Sequence, residues 1–188
     1  IIRSIFVAKT LSTQVLKTNE KAPPFKLKGV DGKMYSLEDF NCKCALVVFI
    51  CNHCPYVKAC INDLINLQNS FATSELEVGG INSKDSGYSD EGFDNMVKFA
   101  EKYEINFPYL IDDTQTVARA YGAACMPDPF LFDHQKRLLF HGRINDATDP
   151  EAIPKIPKMK NNVKKVLAGK TLEKDFDSSI GCSIKWRT

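Results

Sequence analysis

At 188 residues, 44% hydrophobic and 26% charged, the chain has the length and balance of one globular domain with a core of its own. A net charge of +2 favours neither polyanions nor acidic surfaces, and the lysines at 155, 158, 160, 164 and 165 carry no interleaved aromatics, which argues against nucleic acid. The longest apolar run, Ala45 to Cys51, is far too short to cross a membrane. Seven cysteines is an odd count, so a full disulfide framework is excluded, and a reducing compartment or a catalytic use of thiols fits better.

The first twenty residues contain only a brief apolar patch broken by Arg3 and Lys9, which does not read as a signal peptide, and they are expected to form an extension before a domain at 21–188. The chain does not begin with Met, so the expected cytoplasmic location leaves room for an upstream segment. "FKLKGVDGKMYSL" sets Asp31-Gly32 between two short alternating runs and predicts a hairpin. "ALVVFI" is continuous, branched and apolar, as suits a strand buried on both faces. Beyond Pro55, apolar side chains at Val57, Ile61, Leu64, Ile65 and Phe71 give one face of a helix, with the proline at its first position.

"LEVGGIN" predicts the next strand, despite two glycines, and Phe93, Met96, Val97, Ala100 and Tyr103 a second amphipathic helix. "FPYLID" follows as a short strand, then a helix over 114–121 stopped by Gly122. "PFLFD" and "RLLFHGR" form a pair of strands joined by a tight polar turn at 134–136, and a last helix covers about 161–167. The tail "SSIGCSIKWRT" reads as irregular. The order calls for parallel strands with crossover helices, then a late hairpin: an α/β fold with a mixed central sheet and helices on both faces. In such sheets reactive groups gather at the carboxyl ends of the strands. Cys51-Asn52-His53-Cys54 stands at such an end.

Four thiols within thirteen residues (Cys42, Cys44, Cys51 and Cys54) suggest zinc, but a strand lies between the pairs. At ~3.3 Å per residue it separates them by roughly 20 Å, whereas zinc holds sulfur at ~2.3 Å. A smaller soft-metal site from Cys51, His53 and Cys54 stays open as a third alternative, a metal-binding module suited to Cu(I). The redox reading is stronger. Cys54 falls at a helix amino end, where free N–H groups and the dipole lower a thiol pKa, and the thiolate is the attacking species. Cys51 is near enough to pair with it, and His53 can add charge or move a proton.

The segments "KAPPFKLKGVDGKMYSLEDF", "VVFICNHCPYVKA", "FPYLIDDTQTVARAYGA", "CMPDPFLFD" and "IGCSIKW" together resemble the thioredoxin superfamily, in its redoxin branch of peroxiredoxin-like (AhpC/TSA) proteins. The resemblance runs from about Lys21 onward and implies a thioredoxin-like three-layer α/β/α fold with an N-terminal hairpin. It implies thiol–disulfide oxidoreduction by Cys54 and Cys51 on a protein or small-molecule disulfide, with a thiol reductant and no cofactor. The alternative is a thiol peroxidase with peroxidatic Cys54, resolved by Cys51 or Cys182. The motif departs from both patterns. Thioredoxins place the second cysteine three residues after the nucleophile, where this chain has Val57, and peroxiredoxins carry a threonine where it has Cys51. Met126-Pro127 matches the cis-proline loop that faces the cysteines, so Pro127 is expected to be cis and to present backbone to an extended disulfide. Cys125, Cys60 and Cys182 are expected to be buried packing residues, with Cys182 also a candidate resolving thiol.

Overall fold

The computed structural model of the protein describes residues 8–187. Its strands are β1 (Lys9–Leu11), β2 (Lys26–Gly29), β3 (Met34–Ser36), β4 (Cys44–Phe49), β5 (Leu76–Asn82), β6 (Tyr109–Ile111), β7 (Cys125–Met126), β8 (Asp128–Asp133), β9 (Leu138–Gly142), β10 (Phe176–Asp177) and β11 (Ile180–Ser183). The helices are α1 (Pro55–Asn69), α2 (Phe93–Tyr103), α3 (Thr116–Tyr121) and α4 (Lys158–Leu167). The main sheet runs β10-β9-β8-β4-β5-β6-β2-β3. Strands β4, β5 and β6 are parallel; β8 runs antiparallel to both β4 and β9, the edge strand β10 is parallel to β9, and the β2–β3 hairpin on the other flank is antiparallel to β6 and within itself. The mixed sheet agrees with the sequence reading.

Every residue of β4 is buried, because the strand is central and covered on both faces. The two glycines of β5 have a packing reason. A Cβ at Gly79 would meet the Phe40 ring at 2.7 Å, and one at Gly80 would meet Ile50 at 2.9 Å. Successive strand residues point to opposite faces, so the glycine pair lets side chains close on the strand from above and below. Helices α1 and α2 cross in the same direction over the sheet and, being right-handed connections, share a face. Near the end of β4, Phe49, Tyr121 and Phe130 stack edge to face at 5.4–5.9 Å between ring centres, fixing the floor beneath the cysteine loop.

The tail departs from the sequence reading. Instead of an irregular segment, residues 180–183 form β11, which pairs with β1 on one side and β7 on the other in a small antiparallel sheet. The stretch before Lys21 is drawn in as well: β1 pairs with the tail, Ser12 N–H donates to Ser179 O at 3.0 Å, and Leu16 is buried in the core.

Candidate active site

Strand β4 ends at Phe49, and the chain turns through Cys51-Asn52-His53 before α1 opens at Pro55 with Cys54 as its N-cap residue. The N-cap backbone is extended (φ −67°, ψ 123°), which sets the sulfur beside the first turn's unpaired N–H groups. Cys51 and Cys54 are both fully buried. Cys54 Sγ lies 2.6 Å from Cys182 Sγ and 3.4 Å from the Met126 carbonyl oxygen, the residue before a cis proline, Pro127. Thus Cys51, Cys54 and Pro127 come together, and Cys182 joins them.

The Cys54 thiol is held down at about 3. The hydrogen bond from the Cys182 thiol contributes most, then the one from Cys51, with the Val57 N–H of the first helical turn adding to them against the opposing effect of burial. The two donors move the other way. Cys51 is pushed well above the ordinary thiol value, first by its bond to Cys54 and then by burial, and Cys182 is raised for the same two reasons. One negative charge therefore sits on the middle sulfur, with a protonated thiol on either side. The Met126 carbonyl accepts only from the protonated Cys54; once the thiolate forms, the two thiols and the N–H take its place.

His53 is positioned by a carboxylate that the sequence reading did not single out. Glu91 Oε1 accepts from the Asn52 N–H (3.0 Å), the His53 N–H (3.2 Å) and His53 Nδ1 (2.6 Å), while Oε2 accepts from Asn82 Nδ2 at 2.9 Å. On the far side of the ring Lys84 Nζ lies 3.3 Å from Nε2. An ammonium can only donate, so Nε2 accepts from it and the ring proton sits on Nδ1, facing Glu91. Tyr109 Oη donates to Asn52 Oδ1 at 2.8 Å and completes a buried polar shell that fixes the loop. In sequence, Glu91 belongs to "YSDEGFD", where an acidic residue reads as a solvated loop. No local pattern marks it as buried.

Donor atoms of Cys51, His53 and Glu91 all lie within 4.8 Å of one another, which makes them the candidate metal ligands among the described residues. The donor chemistry fits poorly. Glu91 Oε1 already accepts three hydrogen bonds and His53 Nδ1 is spent on it, so an ion would have to dismantle the shell that shapes the loop.

The strap over the site is β11. Cys182 stands opposite Met126 and Ser183 opposite Cys125, and the Ile184 N–H donates to Ala124 O at 3.3 Å. Gly181 makes the approach possible, since a Cβ there would lie 2.1 Å from the Met126 carbonyl oxygen. Arg187 pins the end by reaching Asp85, Ser86 and Asp113 at 2.7–3.2 Å. The remaining thiols behave as expected of packing residues. Burial raises Cys60 and Cys125, and Cys125 Sγ donates to Pro127 O at 3.8 Å. Cys44 corrects the expectation that it precedes the strand: it is the first residue of β4.

Compared with known proteins, residues 18–141 match the model of the AhpC/TSA family. The chain belongs to the AhpC/TSA family. It is 26% identical over 136 residues to the thiol-disulfide oxidoreductase ResA of Geobacillus thermodenitrificans, a match covering 71% of each chain. Among solved structures, an uncharacterized conserved protein from Geobacillus kaustophilus is 36% identical with a TM-score of 0.89, covering 96% of this chain and 97% of that one. The thioredoxin domain of a thiol-disulfide oxidoreductase from Bacteroides vulgatus superposes with a TM-score of 0.65 at 20% identity, covering 81% and 99%. The thioredoxin-like fold of this AhpC/TSA member is thereby established. No helix among its described residues is long and apolar enough to cross a membrane.

Proposed function

We propose that this protein is a thiol–disulfide oxidoreductase in which Cys54 attacks and Cys51 resolves. The observation that carries the reading is the placement of Cys54 at the strand-to-helix junction, against the backbone before cis-Pro127 and with Cys51 three residues upstream, and the hydrogen bonds that hold its thiol low support it. The name of the ResA relative supports it. Cys54 thiolate attacks one sulfur of a substrate disulfide, the other sulfur leaves as a thiolate, and a mixed disulfide forms. That step removes the charge from Cys54 and with it the hydrogen bond that holds the Cys51 proton most strongly. Cys51 then ionises more readily, attacks Cys54 and releases the reduced substrate. A thiol reductant returns the Cys51–Cys54 disulfide to the dithiol.

His53, fixed between Glu91 and Lys84, keeps the loop in register beside Cys51, and the backbone at Pro127 presents an edge to an extended protein or small-molecule disulfide. Seven unbridged thiols fit the cytoplasm, where cysteines stay reduced. The test is insulin disulfide reduction with dithiothreitol as reductant. Cys54→Ser should lower the rate by about 10³-fold or more, the scale of losing a nucleophile, and Cys51→Ser combined with Cys182→Ser, which leaves neither neighbouring thiol to resolve it, should accumulate a mixed disulfide on Cys54. Turnover retained in Cys54→Ser would overturn the reading. Sulfenic acid on Cys54 after hydrogen peroxide, with no insulin reduction by the native chain, would make the protein a peroxidase instead.

A further inference from the structure

Four observations around β11 point to one role. The strand is paired to the β7 edge that lies against Cys54, in a register that puts Cys182 opposite Met126. It brings Cys182 Sγ to 2.6 Å from Cys54 Sγ. Gly181 leaves no room for a side chain against Met126, so the strand approaches there through its backbone. With the strap seated, Cys54 has no exposed surface. An extended segment that carries a cysteine, hydrogen-bonds to the backbone before a cis proline and abuts the nucleophile has the form of a bound polypeptide substrate.

We propose that β11 is an internal substrate strand and that Cys182 is a third redox cysteine, forming the first protein disulfide with Cys54 before Cys51 takes it over. The proposal rests on Cys54 being the attacking thiolate. With a low-molecular-weight disulfide R–S–S–R as oxidant, Cys54 attacks one sulfur, the S–S bond breaks and one RS⁻ leaves to take a proton from water. The Cys182 sulfur then attacks Cys54 Sγ; the Cys54–SR bond breaks, and the second RS⁻ leaves with the proton that Cys182 gives up. Two electrons have passed from Cys54 and Cys182 to the oxidant, giving two RSH. Next the Cys51 sulfur attacks Cys54 Sγ, and the departing Cys182 sulfur receives the Cys51 proton. This last step is an exchange with no net electron transfer. It frees β11 to leave the β7 edge, which an extended substrate needs as well.

The experiment is peptide mapping of the full chain carrying Cys51→Ser after treatment with oxidised glutathione. A Cys54–Cys182 disulfide is expected. Glutathione held on Cys54, with Cys182 still a free thiol, overturns the internal partner and leaves the oxidoreductase reading standing. Cys54 neither bridged nor glutathionylated overturns both. Cys51→Ala repeats the test should a buried serine hydroxyl unfold the chain. Gly181→Val supplies a second readout, because the new side chain drives β11 off Met126: alkylation of Cys54 by iodoacetamide should quicken by about tenfold as local opening becomes easier. An unchanged rate in a folded Gly181→Val protein counts against the strap.

Discussion

Strand β4 carries a pair of cysteines near each end, and the two pairs differ in everything except burial. At the amino end, Cys42 donates to the carbonyl oxygens of Phe40 and Cys44 at 3.6 and 3.0 Å, and burial pushes Cys44 up to about 12. At the carboxyl end, Cys54 is equally buried, yet its thiol is held near 3 by two neighbouring thiols and a helix N–H. Burial by itself makes a thiol inert, as the first pair shows. What makes the second pair reactive is the supply of donors to the charged form, which only the strand-to-helix turn and the returning tail can bring together.

Removing a donor tests that contrast most severely. In Cys182→Ala the strongest donor to the thiolate is gone, so the Cys54 pKa should rise. The native thiol is ionised above about 3, so its alkylation rate should stay flat until pH falls close to that value, whereas the variant's should turn down at a higher pH and fall by about tenfold per unit below its new pKa. A flat profile in the variant would mean that Cys51 and the Val57 N–H suffice. A smaller effect is expected from Glu91→Gln. It leaves the two backbone N–H groups and His53 facing a weaker acceptor, and should cost about 2 kcal/mol in urea unfolding, with the resolving step slowed more than the attack. The smallest change belongs to the far end of the strand. Cys44→Ala should cost only about 1 kcal/mol of stability and leave the rate of disulfide reduction within error of the native chain; a redox defect there would erase the distinction between the two pairs.

How far the sequence discloses these features depends on how local their causes are. The run "ALVVFI", Pro55 and the helical spacing beyond it state β4, the turn and α1 within one stretch, and strand, cap and helix lie where that spacing puts them. Pro127 is similar, since the bond before a proline is where a cis peptide is expected, and Met126–Pro127 is cis. Glu91 lies 38 residues from His53, in a segment whose composition is that of a surface loop, and its carboxylate finds its partners, Asn52, His53 and Asn82, outside that segment. The strap is harder still. Its four residues include Gly and Ser, too few to show a strand period, and its partners lie far from it in sequence, β1 near the amino end and β7 at 125–126; beside them Ser178 Oγ donates to Ser12 O across 166 positions. Pairings of that separation have no signature within either segment.

The pairing of β1 with β11 has a practical consequence for anyone handling fragments of this molecule. A protein shortened to begin at Lys21, where the family resemblance starts, would keep the main sheet but strip one flank of the strap of its partner. The uncovered backbone of residues 180–182 would then be an adhesive border, open to the same border on another copy. Such a fragment would be prone to self-association through a face that the longer chain keeps closed, and its Cys182 would be carried along into that contact.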